Sequence, residues 1–361
     1  MPKGVSYALA AALLFGMGTP LAKLLLASVH PLMLAALLYL GSGLGLAGVR
    51  AIRREHAVLP QGTQWLWLAG AVLAGGVVGP VLLMWGLSSF NAADASLLLN
   101  SEGVLTALLA WFVFRENFDR RIALGMLAIV AGGLVLSWPR GGDPNNGMGG
   151  GSVVSALLVV AACLAWAIDN NLTRKLALLD AGFIAMVKGL VAGSVNLGLA
   201  LLTGASLPAA GVVAQAALLG FASYGASLVL FVLALRHLGT ARTGAYFSVA
   251  PFAGALLALP LLGEPLTLPL LAGGALMAIG VALHLTEKHA HAHVHEALVH
   301  DHEHRHGGIE GGDVHHAHTH TGQGQDLDPV MPGASHSHVH QHLPLAHSHA
   351  HFPDAHHRHG H

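Results

Sequence analysis

Apolar runs long enough to cross a bilayer recur ten times between residues 4 and 286, and that recurrence leaves few folds open. A hydrocarbon layer about 30 Å thick needs roughly 20 apolar residues in helical form. Inside it every backbone amide must find its partner within the protein, so spanning segments are helices or closed barrels. The runs cover 4–27, 31–52, 65–89, 92–114, 120–138, 152–172, 180–203, 211–235, 240–262 and 267–286. Their length and unbroken apolar character select helices. A chain of 361 residues would ordinarily suggest several soluble domains, but 54% apolar and only 10% charged residues, with a mean hydropathy of +0.61, overrule that. We therefore expect an all-α membrane protein with ten transmembrane helices. The first run begins after Lys3 as a signal peptide would, but it lacks a small-x-small cleavage site and continues to Lys23, so it is read as an uncleaved span.

The charges between the runs predict orientation. With the N-terminus in the cytoplasm, alternate ends hold Lys3, Arg50, Arg53, Arg54, Arg115, Arg120, Arg121, Arg174, Lys175, Arg236, Arg242 and Lys288 inside, against Arg140 alone outside. Twelve against one is the asymmetry that cytoplasmic loops carry. It predicts a plasma (inner) membrane protein with both termini cytoplasmic and lipid as its first partner. A formal net charge of −1, without a basic face, argues against nucleic acid. Cys163 is the single cysteine and forms no intrachain disulfide.

The chain repeats itself at a spacing near 150. A shift of 148 lays Glu116 on Glu264, Gly125 on Gly273, Gly132 on Gly280 and residues 87–96 on 235–244; a shift of 151 lays FGMGTPLAK (15–23) on WAIDNNLTR (166–174). The glycine-rich stretch 139–151 separates a first five-helix repeat, 1–138, from a second, 152–286. Five is odd, so the second repeat enters the membrane from the opposite side. Inverted repeats are an architecture of secondary transporters, which rock one half against the other around a midplane site. The segments FRENFDRRIALGMLAIVAGGLVL (114–136) and LLGEPLTLPLLAGGALMAIGVAL (261–283) resemble the drug/metabolite transporter superfamily of EamA type. The first copy departs by reading Arg115-Glu116 where the second reads Gly263-Glu264. The resemblance covers residues 4–286 and implies a small-solute carrier, often an exporter, of unspecified substrate.

Ionisable groups inside hydrocarbon are costly and are candidates for the transport site. Glu102 lies ten residues into the fourth run, flanked by Asn100 and Ser101. A carboxylate near the midplane could exchange protons or bind a cation, or be a structural group bonded to a neighbouring helix. Asp94 stands nearer the rim, as a further ligand or a helix cap. The sixth run ends in Asp169, Asn170, Asn171, Thr173 and Arg174, read either as part of a polar cavity or as a cytoplasmic cap. Lys188, about eight residues into the seventh run, could pair with Asp169 or be contested by Glu102, and Asn196 falls on the same helical face as Lys188. Lys23 is expected to snorkel to the headgroups. The pairs Gly41/Gly45, Gly75/Gly79 and Gly189/Gly193 predict close helix contacts; a homodimer stays open.

All but four of the 27 histidines lie in 289–361. The candidate metal ligands are His289, His291, His293, His295, His300, His302, His304, His306, His315, His316, His318, His320, His336, His338, His340 and His342. Neutral imidazole binds Ni, Co and Zn, so this tail, 287–361, is expected to bind such ions and otherwise to be disordered. His30, His56, His237 and His284 sit at span ends, so no histidine path crosses the bilayer. Three readings stay open: a carrier, expected to be an exporter, with metal as cargo or regulator; a general metabolite or amino-acid carrier whose tail buffers metal; and a membrane-anchored metal buffer or sensor without transport. The chain shows no phosphate loop or nucleophile elbow, so we expect no enzyme and no required cofactor.

Overall fold

In a computed structural model the described residues are 3–54, 59–114, 120–138, 153–176, 179–285 and, in the tail, 290–295, 298–305, 335–342 and 345–350. The chain divides into two units, Met1–Glu287 and Lys288–His361. The linker 139–151, with Glu116, lies outside the described residues.

The first unit is all-α. Spans 1 and 2 are α1 (Lys3–Leu26) and α2 (Pro31–Arg53). Span 3 is α3 (Gln64–Ala71), a π segment (Val72–Val78) and α4 (Gly79–Ser88). Span 4 is α5 (Ala92–Leu98) followed by α6 (Ser101–Phe114), and span 5 is α7 (Arg120–Ser137). The second half runs α8 (Val153–Arg174), α9 (Ala181–Leu202), α10 (Ala210–Gly220), a π segment (Phe221–Ala226), α11 (Ser227–Phe247), α12 (Ala250–Leu262) and α13 (Leu268–Leu285). Six of these helical stretches are long and apolar enough to cross a membrane, joined by shorter apolar helices. Their outer faces are apolar too: Leu13, Leu44, Leu73, Leu157, Leu218 and Leu256 are all exposed, which suits a lipid-facing surface and not an aqueous one.

Two boundaries differ from the sequence expectation. The run 92–114 is not one helix but breaks at Leu99 and Asn100, where the Asn100 Nδ2 donates to the Leu97 carbonyl and competes with the backbone ladder. The runs 211–235 and 240–262 do not divide at 236–239; α11 continues to Phe247 and the break falls at Ser248–Val249. Pro251 explains the position, because it has no N–H for the Phe247 carbonyl and its ring clashes there. A shift of 148 lays Leu99 and Asn100 on Phe247 and Ser248, so spans 4 and 9 are interrupted at equivalent places. The same shift lays one π segment on the other.

Packing carries the same symmetry. Glycines related by the repeat meet crosswise: a Cβ on Gly132 would lie 2.8 Å from the Gly273 carbonyl oxygen, and one on Gly280 would lie 2.6 Å from that of Gly125. If 125 corresponds to 273 and 132 to 280, contacts 125–280 and 132–273 are what a two-fold axis between α7 and α13 produces. α2 and α9 approach as closely, with Gly189 against Gly43. α1 packs on α11 and α12, and equivalently α8 packs on α4 and α6.

The second unit contains four strands among its described residues: β1 (Ala290–His295), β2 (Leu298–Arg305), β3 (Ser335–His342) and β4 (Leu345–Ala350). β1 pairs antiparallel with β4 and β2 with β3. His-x-His has period two, which is also the repeat of an extended strand. His289, His306, His315, His316, His318 and His320 lie outside the described residues.

Candidate transport site

The π segment of span 3 creates the site's scaffold. Pro80 cannot donate to the carbonyls of Gly76 or Gly75, the α and π partners of its position. Other helices supply the missing donors. Asn196 Nδ2 reaches the Gly76 oxygen at 3.2 Å, and the Gly75 oxygen accepts from Tyr39 Oη at 2.8 Å and Trp166 Nε1 at 3.0 Å. Spans 2, 6 and 7 are thereby tied to the wide turn. Gly75 is required there, because a Cβ would run into the Asp169 carboxylate.

Against this turn lie the ionisable groups. Asp169 and Lys188 form an ion pair between α8 and α9, with side chains 7% and 18% exposed. Thr173 Oγ1 donates to the other carboxylate oxygen of Asp169 at 2.9 Å, one helical turn along. Asn170 Nδ2 donates to Glu102 Oε1 at 2.8 Å and lies 3.5 Å from Thr106 Oγ1, linking span 6 to span 4. Asn171 Nδ2 donates to the Ala167 carbonyl at 2.8 Å. Two carboxylates, one ammonium and two amides from spans 4, 6 and 7 thus share one region inside the bundle. Lys188 is engaged by Asp169, while Glu102 accepts from the neutral amide of Asn170. The cluster can hold a proton or a positively charged group without forcing a net charge into hydrocarbon.

The expected residues do not all gather there. Glu102, Asp169, Asn170, Asn171 and Lys188 do, and Asn196 supports the turn. Asn100 packs instead at the break of span 4, with Met277 Sδ 4.0 Å from its Nδ2. Asp94 is buried in the first turn of α5. Lys23 does not reach for the headgroups: its Nζ donates to the Leu87 and Ser88 carbonyls at 2.6 and 3.0 Å. Sequence reasoning missed Thr106 and Trp166 and read Thr173 only as part of the polar end of span 6, though the spacings 102/106 and 169/173 place each threonine one turn from its carboxylate.

The repeat makes the cluster one-sided. Shifts of 148 and 151 lay Glu102 on Ala250 and Asn170, Asn171 on Thr19, Pro20. Among the described residues, no group of three or more His, Cys, Asp or Glu side chains is poised to hold a metal ion.

Residues 2–138 and 153–286 each match the EamA-like transporter family, one match per repeat. An uncharacterized transporter of Methanothermobacter thermautotrophicus is 31% identical over 286 residues, covering 75% of this chain and 82% of its own. A protein crystal structure superposes with a TM-score of 0.58 at 20% identity, covering 77% of this chain and 95% of that one. That likeness speaks to the fold.

Proposed function

Because the chain belongs to the EamA-like transporter family of membrane solute carriers, we propose that it is a secondary exporter whose cargo binds at the Glu102–Asn170 and Asp169–Lys188 cluster. The carrying observation is that cluster itself: spans 4, 6 and 7, drawn from both halves, bring Glu102, Asp169 and Lys188 together beside a π turn. A cation or ammonium group entering there competes with Lys188 for Asp169 and with Asn170 for Glu102. Exchange of partners then couples binding to movement of one half against the other. The charge asymmetry of the loops supports a plasma-membrane orientation with both termini cytoplasmic.

Divalent Ni, Co or Zn enters this reading through the tail, as cargo gathered at the cytoplasmic mouth or as a regulator. The strand register sets His291 opposite His349, His293 opposite His347, His300 opposite His340, His302 opposite His338 and His304 opposite His336. Paired imidazole-bearing positions of this kind suit borderline metals. A second reading, a metabolite or amino-acid carrier with a metal-buffering tail, is favoured by the donor set in the membrane. Carboxylate and amide oxygens suit hard cations and organic ammonium groups better than Ni or Zn.

Metal content of cells carrying the full chain, the chain without 289–361, the Glu102→Gln chain or no transporter separates these readings. Metal as cargo predicts lower cellular metal with the full chain than with the Gln variant or the empty control. Equal content in all four at every external level would remove the metal-carrier reading and leave the metabolite carrier. The chain is not read as an enzyme, and its named relative is a transporter.

A further inference from the structure

The two-fold repeat is broken at one conspicuous place. Between spans 3 and 4 the backbone is interrupted at Ser89–Asn91, and both helix ends are capped by distant charges. At the end of α4, Lys23 Nζ donates to the Leu87 and Ser88 carbonyls. At the start of α5, the amides of Ala92 and Ala93 donate to Glu264 Oε1 at 2.6 Å and Oε2 at 2.9 Å. The ammonium meets the negative end of one helix and the carboxylate the positive end of the next. Asn91, the residue positioned to cap α5 itself, makes no such bond. Glu264 comes from the second half, just after the left-handed Gly263 that ends α12, so its bonds tie the two halves together. The equivalent stretch of the second half, 237–239, is not interrupted but runs inside α11.

Exposure is divided the same way. On the Glu264 side, Thr19 is 5% exposed, Ala250 1% and Ser96 0%, and Ser96 Oγ has no hydrogen-bond partner in the narrow crevice it lines with Phe15 and Pro251. The counterparts of Thr19 and Ala250 on the other side are open: Asn170 is exposed and Glu102 half-buried. One two-fold-related path is sealed where the helix break is capped, and the other is reachable where the helix is continuous.

We propose that Glu264, with Lys23, is a latch that holds shut the end of the bundle where spans 3 and 4 join. While it is engaged, spans 1, 3, 4 and 9 are pinned at that end and solute reaches the cluster only from the other. Releasing the carboxylate from Ala92 and Ala93 frees α5 to swing with the first half and opens the crevice at Thr19 and Ser96. The inference rests on the carrier reading, but its test needs no cargo, so its failure and that of the transport reading are distinguishable.

The test uses the full chain in proteoliposomes with Cys163→Ala and one reporter cysteine, Thr19→Cys on the latched side or Thr106→Cys on the other. The rate of modification by a charged maleimide is measured, with size-exclusion elution as the control for folding. Glu264→Ala should raise the Thr19→Cys rate at least tenfold and lower the Thr106→Cys rate. Glu264→Gln, which keeps acceptor capacity without charge, should raise the first rate by a smaller factor, and Lys23→Met should act in the same direction. Should the Ala variant not elute as folded protein, the Gln and Met variants carry the test. A Thr19→Cys rate changed less than twofold in the folded variants would overturn the proposal, leaving Glu264 a structural cap. So would a parallel rise at both reporters, which is general loosening and not an exchange of open ends.

Discussion

Replacing Lys188 with Met should destabilise the protein far more than replacing Lys188 and Asp169 together. The two charges face each other between α8 and α9, with side chains 18% and 7% exposed. Water does little to screen them, and each is costly to bury alone. Removing one partner of such a pair typically costs about 3–5 kcal/mol, because the other charge is left uncompensated, whereas neutral replacement of both is often close to thermoneutral. At about 1.36 kcal/mol per decade, Lys188→Met should lower the folded-to-unfolded ratio by roughly two to four orders of magnitude. Thr173 Oγ1, 2.9 Å from Asp169 Oδ1, recovers a part of that, on the order of 1 kcal/mol. Asp169→Asn should cost a comparable amount through the stranded ammonium, and Asp169→Asn with Lys188→Met less than either single change. The assay is denaturant unfolding of purified protein in mild detergent, followed by far-UV circular dichroism, for all four chains of the cycle. Additive losses, with the double variant as damaged as the singles summed, would refute the pairing argument. A neutral Lys188→Met would refute it equally.

Glu102→Gln should leave folded protein in the membrane, because Asn170 can still donate to the remaining amide oxygen, yet abolish or uncouple transport; normal transport across pH would remove Glu102 as proton carrier or cation ligand. Gly75→Ala places a methyl group in the Asp169 carboxylate and should cost about 1–3 kcal/mol by overpacking, read as a lower denaturation midpoint; an unchanged midpoint would show that the π turn yields. Deleting 289–361 should leave the helical unit folded, since the tail forms a separate unit, with an unchanged circular dichroism melt as the check. The tail should bind several Ni, Co or Zn ions in isothermal titration and lose them below about pH 6. Imidazolium cannot ligate, so binding is present above the imidazole pKa of about 6.5 and disappears as pH falls through it.

Much of this architecture was legible in the sequence because hydrophobic length and repetition are local, linear signals. Ten apolar runs, the duplication at 148–151 and the odd number of helices per half follow from counting residues, since a bilayer permits only fully bonded helices of that length. The positions of Glu102, Asp169 and Lys188 were conspicuous for the same reason: a charge in an apolar run has no cheap explanation. Partners were legible only in part: Asp169 was one of two candidates for Lys188, and nothing pointed to Asn170 for Glu102. That Asp169 takes Lys188 while Glu102 takes Asn170 depends on how far α8 is rotated against α6 and α9. Trp166 holds α8 to the Gly75 carbonyl, which Pro80 leaves without its helical donor. Asn100 shows the limit from the other side; beside Glu102 in sequence, it turns to the Leu97 carbonyl and Met277 because the chain breaks at 99–100. Lys23 looked like a headgroup anchor until folding brought the carbonyls of residues 87 and 88 within reach, 64 and 65 positions away. Apolar period and charge cost are properties of single segments and survive without a fold. Donor and acceptor pairing, and the asymmetry between a capped break at 89–91 and a continuous helix at 237–239, exist only once the helices have chosen their neighbours.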